Sequence, residues 1–171
     1  MAVIEAIATT YLEADAASVT FSSIPATYEH LQLRMSWRDG STGTYGMIKT
    51  RFNGDTGNNY QYHLMRGYGT TAATDTAAST DYIANNFVIA EGSPRTGYTS
   101  AIVDILDYAN TNKNTTTQTM LGSVSGTVSQ VVFHSGMWDS TAAVNTILLT
   151  YVWGPDIVRG TEVTLYGLNS S

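Results

Sequence analysis

Residues 31–38 read LQLRMSWR, with Leu31, Leu33, Met35 and Trp37 alternating with Gln32, Arg34, Ser36 and Arg38. An apolar side chain at every second position puts one face in a core and the other in water. That is the pattern of a half-buried β-strand, since a helix would repeat its apolar face every 3.6 residues or so. The same alternation recurs in both directions along the chain. Upstream, Val19 and Phe21 alternate with Ser18, Thr20 and Ser22 until Ile24-Pro25 ends the run, because proline has no N–H for a ladder. Downstream, the expected strands are Met47–Phe52, Gln61–Met65, Phe87–Ala90, Thr99–Tyr108, Gln118–Val124, Ser129–His134, Asn145–Trp153 and Glu162–Leu168.

Turn-formers separate them: ArgAspGlySer (38–41), AsnGlyAsp (53–55), GluGlySerPro (91–94), AsnThrAsnLys (110–113), TrpGlyProAsp (153–156) and ArgGly (159–160). Glycine supplies positive φ, and Asn and Asp bond their own backbone. Thr71–Ile83 is polar and rich in Ala and Thr, and reads as a short helix or a long excursion. Short strands at this spacing predict one all-β domain over residues 1–171. The expected architecture is an antiparallel β-sandwich, jelly-roll-like, with about 8–10 strands and little helix.

Composition narrows the function classes. The 171 residues suffice for one domain with a real core. Cysteine is absent, which removes disulfides, Cys zinc sites and thiol nucleophiles. The formal net charge is −6, and the eight basic residues are scattered from Arg34 to Arg159. Such a chain repels a phosphate backbone, so no nucleic-acid partner is expected. The N-terminus lacks a basic region and carries Glu5 and Glu13, unlike a signal peptide. No run approaches the 18 or so apolar residues of a membrane span.

Candidate chemistry is thin. Arg51–Tyr60, RFNGDTGNNY, could be an ion-binding loop or a turn. Aligned as an EF-hand from Asn53, it puts Gly57, Asn58 and Leu64 where a ligand, a glycine and a bidentate Glu belong. Asn-Gly is a strong hairpin signal, so a turn is the expectation. His30, His63 and His134 lack metal-ligand spacing, and His63 and His134 fall within strand patterns. GlySerValSerGly (122–126) has Val124 where a nucleophile elbow needs Ser. Asp104 and Asp107 have opposite parity and should face opposite sides of a sheet. ArgGlyTyrGly (66–69) lacks the third Gly and the Lys of a phosphate loop. No catalytic, cofactor-binding or metal-binding residue is assigned, and no enzyme is expected. Among the aromatics, Trp37 and Trp138 read as core anchors, and Tyr45, Tyr68 and Tyr98, beside turn glycines, as the candidates for an exposed sugar platform.

Six segments carry a resemblance when taken in order: Val19–Pro25 (VTFSSIP), Tyr28–Ser36 (YEHLQLRMS), Arg51–Tyr60 (RFNGDTGNNY), Asp104–Lys113 (DILDYANTNK), Gly136–Leu149 (GMWDSTAAVNTILL) and Leu165–Leu168 (LYGL). Together they resemble a group of small virion proteins of tailed bacteriophages, common in phages of cyanobacteria and marine bacteria. Departures fall in Asp107–Lys113, where the group more often has an aromatic-Pro-Asn-Tyr turn, and at Trp153–Asp156. The resemblance implies a recurring structural turn at RFNGDTGNNY without a bound ion. It further implies a non-enzymatic structural protein, made in the host bacterial cytoplasm and located on the virion's capsid surface as a decoration (cement) protein. Its partners would be the major capsid protein and copies of itself. The alternative is a tail-fibre or receptor-binding module that recognises host surface glycans.

Residues 1–15 fit either reading of self-association. Ala2–Leu12, with Val3, Ile4, Ile7 and Leu12, is the first strand of its own sandwich or an arm pairing with a neighbour's edge. A homo-oligomer is expected, a trimer first and a dimer second. Packing in an assembly would also hold Met1 and the closing Ser170-Ser171 in place.

Overall fold

The computed structural model describes residues 4–126, 129–152 and 156–170. The strand read from residues 31–38 is β3 (His30–Trp37), and its four apolar residues point inward, Trp37 with 0% of its surface exposed. Around it lie β1 (Ile4–Tyr11), β2 (Ser18–Phe21), β4 (Tyr45–Phe52), β5 (Tyr60–Tyr68), β6 (Thr71–Thr80) and β7 (Ile83–Ile89). The chain continues through β8 (Thr99–Leu106), β9 (Thr115–Val124), β10 (Ser129–Trp138), β11 (Ile147–Tyr151) and β12 (Glu162–Leu168). Every strand pair is antiparallel.

Eight strands form one sheet in the order β1-β12-β3-β8-β9-β10-β5-β6, and four form the other in the order β2-β11-β4-β7. The chain changes sheet at every step except β5 to β6, β8 to β9 and β9 to β10. That winding is jelly-roll-like, with the meander β8–β9–β10 where a jelly roll has a single strand. β12 and β1 then extend the large sheet beyond β3. The inner faces meet in a core that includes Leu31, Leu33, Phe52, Ile105, Leu149 and Leu165.

The twelve strands exceed the expected number, and two segments explain the difference. Thr71–Thr80 is neither helix nor excursion: it pairs with β5 from Tyr68↔Thr71 to Tyr60↔Thr80. Alanine favours a helix only where nothing else uses the backbone N–H groups, and here β5 uses them, with β-branched Thr suited to the pleat. Residues Ile4–Tyr11 pair with β12 of the same chain, which is the own-sheet reading of the N-terminal segment. Ala2, Val3, Met1 and Ser171 lie outside the described residues, as does most of the 153–156 turn.

A second correction concerns residues 38–41. Expected as turn-formers, they form a junction in which Arg38 and Asp39 are buried and Gly40 and Ser41 half-buried: Asp39 bridges Ala90 and Ile157 and is 0% exposed. Its carboxylate accepts from the Ser41 N–H at 2.9 Å and occupies the space beside Gly46 that a Cβ would fill. Burial pushes the Asp39 carboxyl above the usual carboxylate range.

The core is not uniformly apolar. Thr117, Thr119 and Ser123 of β9 and Gln130 and His134 of β10 point inward beside Leu121 and Val132. Asn85 of β7 donates to the Thr50 hydroxyl at 3.0 Å and accepts from the Thr119 hydroxyl at 2.9 Å. β10 thus carries polar side chains inward while Val131 and Phe133 point out.

Candidate functional site: the outer face of the large sheet

The Arg51–Tyr60 turn is structural. Asn53 takes a positive φ of 53° at the end of β4. Its side-chain oxygen accepts from the Asn145 and Thr146 N–H groups at 2.9 and 3.1 Å, while its amide donates to the Ala143 carbonyl at 2.8 Å. The Asp55 carboxylate accepts from the Gly57 N–H (2.8 Å), the Asn59 amide (3.0 Å) and the Trp138 indole N–H (2.7 Å). The bonds from Asn59 and Trp138 hold the Asp55 carboxyl below its usual range. Protein donors therefore satisfy the one carboxylate of the loop, and it clamps Trp138 against Tyr60 and Phe52.

The three histidines do not form a cluster: His63 and His134 are diagonal neighbours on the paired strands β5 and β10 but face opposite sides of the sheet, and His30 lies on β3. His30 on β3 accepts from the Asp107 N–H at 3.0 Å. His63 lies on the exposed outer face of β5. His134 is 4% exposed between the sheets and stacks on Tyr62 with ring centroids 5.2 Å apart. Burial pushes its pKa down to about 4, partly offset by the Ala84 backbone. Among the described residues no three of His, Asp or Glu converge as a metal site would require.

Asp104 faces outward from β8 and accepts from the Gln32 amide at 2.7 Å. Asp107 is not on the opposite face of that strand as expected, because β8 ends at Leu106 and Asp107 turns at φ 50° to meet Lys113. In residues 122–126, Ser123 is buried and Val124 exposed at the end of β9, with Gly126 turning at φ 88°. Residues 66–69 close β5, and Gly69 (φ 54°) begins the hairpin into β6.

Trp37 and Trp138 are core residues. The tyrosines read as a sugar platform are separated and occupied. Tyr45 shares a hydrogen bond with Ser125, Tyr68 carries the Arg66 guanidinium 4.5 Å from its ring centre, and the Tyr98 hydroxyl donates to the Arg159 carbonyl.

The unassigned surface is the outer face of β8, β9, β10 and β5. Register aligns Ile102, Met120, Phe133 and Met65 in one row across these four strands. Phe133 is 54% exposed, Met65 56% and Met120 49%. The next row, two residues along each strand, is polar: Asp104, Gln118, Ser135 and His63, extended onto β3 by Gln32. On the other side Val131 lies between Gly67 and Gly122, where a Cβ would meet open space. The result is a groove of about 670 Å³ over the first two rows, with a shallower trough of about 250 Å³ beside Val131. Arg34 donates to the Gln32 side-chain oxygen at 2.8 Å and lies over the Tyr166 ring, so the Gln32–Asp104 pair is held in place.

The sequence carried one sign of this face. In GlnValValPheHis (130–134) three apolar residues run together, so β10 is apolar outward as well as inward. A strand of an antiparallel sheet with one solvated face would alternate instead.

No family model, no curated protein and no solved structure matches this chain.

Proposed function

We propose that this chain is a non-enzymatic structural protein of a phage virion, which binds the outside of the head as a decoration (cement) protein. The virion assignment rests on the six-segment resemblance. The observation that carries an assembling role is that both edges of the eight-stranded sheet are long and only lightly guarded. β1 and β6 terminate the sheet, and their sequences IEAIATTY and TAATDTAAST carry one acid each, Glu5 and Asp75, one register shift each against the neighbouring strand, and no Lys, Arg or Pro. Both are exposed along most of their length on either face. Monomeric proteins usually blunt such edges with charge or proline, because a row of unpaired N–H and C=O groups recruits other strands. Edges left open in this way suit a protein whose neighbours cover them: copies of itself, as a trimer or dimer, and the major capsid protein.

Labelling purified virions with an antibody to the chain tests the location, with label expected on the head. The tail-fibre or receptor-binding reading is favoured by the outer-face groove, and label confined to the tail would select it. Light scattering tests the edge argument. The wild type should run as an oligomer, and Ala6→Lys with Ala8→Lys on β1 should lower its mass. A monomeric wild type overturns the self-association.

A further inference from the structure

We infer that the outer-face groove of β8, β9, β10 and β5 is a binding site for a neutral oligosaccharide, whether the protein stands on a head or a tail. The argument begins with the two rows. A hexopyranose is amphipathic, with C–H groups on the ring face and hydroxyls at the rim. Phe133, Met120 and Met65 offer a half-exposed apolar row to the ring face. Side chains of the adjacent row, about 7 Å away along the strands, suit the rim. Glutamine and aspartate each present two polar atoms side by side, which matches a pair of neighbouring hydroxyls.

Pre-organisation supports the assignment. Gln32 is fixed between Arg34 and Asp104, and two hydrogen bonds hold that end of the row. No hydrogen bond within the described residues engages the side chains of Gln118, Ser135 or His63, which leaves them for a ligand. At about 670 Å³ the groove falls within the roughly 300–1,000 Å³ of typical ligand sites. Gly67 and Gly122 keep the trough open beyond Phe133, so it takes a chain of rings and not one ring alone.

Charge selects among saccharides. Asp104 is the one acid in the groove, and the chain as a whole is at −6. A sialylated, uronic or phosphorylated glycan would meet repulsion there. A neutral chain meets none. A protein partner fits less well, because an interface core is depleted of charged residues and the row beside Phe133 places the Asp104 carboxylate within the groove.

Affinity electrophoresis of the purified full chain through gels containing one soluble polysaccharide each tests the proposal. The panel is a neutral β-glucan, a neutral mannan, a neutral galactan and an acidic alginate. At least one neutral member should retard the wild type, with alginate leaving it unretarded. Phe133→Ala should weaken that retardation roughly tenfold. Asp104→Asn should weaken it as well, and Tyr98→Phe, at an exposed aromatic outside the groove and away from both sheet edges, should leave it unchanged. Circular dichroism confirms that each variant is folded. No retardation by any neutral member, retardation by alginate alone, or retardation unaltered in both groove variants overturns the site. So does a fall in oligomeric mass of Phe133→Ala without saccharide binding, which assigns the face to a protein contact. None of these readouts depends on where the protein sits in a virion.

Discussion

Replacing Asp55 with Ala removes the acceptor for three donors, and the three losses are unequal. The Gly57 N–H and the Asn59 amide lie in an exposed turn, where water replaces the carboxylate at small cost. The Trp138 indole is different. Its residue is 3% exposed, and the 2.7 Å bond to Asp55 is its hydrogen bond to a charged group. Such bonds contribute about 1.5–3 kcal/mol. With a few tenths for the turn, Asp55→Ala should cost about 2–3 kcal/mol, or roughly a 5–10 °C lower melting temperature for a domain of this size. The pH profile gives a second signature. A carboxyl whose folded pKa is depressed stabilises the protein above its unfolded pKa of about 3.9, and that contribution is lost as pH falls through the folded value. Wild type and variant should therefore differ at neutral pH and converge in strong acid. Calorimetry across pH measures both, and EDTA should shift neither protein. A variant melting within about 1 °C of wild type at pH 7 refutes the clamp. A loss of several degrees in EDTA refutes the ion-free turn.

Trp37→Ala should cost about 3–5 kcal/mol in denaturant unfolding, because the residue is fully buried. Trp37→Phe should cost much less, since the indole N–H has no hydrogen-bond partner among the described residues. His134, with its pKa pushed down to about 4, stays neutral when folded and binds a proton first when unfolded. Stability should therefore be intact above the unfolded value of about 6.5 and fall by about 3 kcal/mol as pH drops toward 4. His134→Gln should flatten that part of the curve measured by urea unfolding, and an unchanged slope would show that the ring is hydrated. Asn53→Ala frees the 143–146 loop and should cost about 1–3 kcal/mol, with faster amide exchange at Asn145 and Thr146 as the local readout.

Strand identity was legible wherever one face is buried and the other wet. Glu162–Leu168 has the boundaries read from its alternation, and β3 follows Leu31 to Trp37 without a break. Legibility failed where burial does not distinguish the two faces. β6 is exposed on both, so Ala and Thr gave no period to read. Asp39 was taken for a turn residue because its sequence neighbours are Arg and Gly, while its burial comes from Ala90 and Ile157, far along the chain. The outer-face groove depends on register between four strands, and no single segment contains it. Phe133 meets Met120 and Met65 only after β9 and β5 have paired with β10.

The mixed polarity of β10 makes it the least self-evident strand to place during folding. In the native register Val132 and Trp138 enter the core together with Gln130 and His134. Displaced by one residue, the strand would instead bury Val131, Phe133 and Met137, a set of comparable apolar content. The hydrophobic pattern of β10 alone is therefore nearly indifferent between two placements, a local frustration that most strands of the domain do not share. Trp138 breaks the tie, because only the native placement brings its indole to Asp55 and its ring to Tyr60. The RFNGD turn thus acts on β10 as a gauge pin does on a sliding scale. A chain without it should refold through a trapped population with β10 one step out, visible as a slow phase in stopped-flow fluorescence that the wild type lacks.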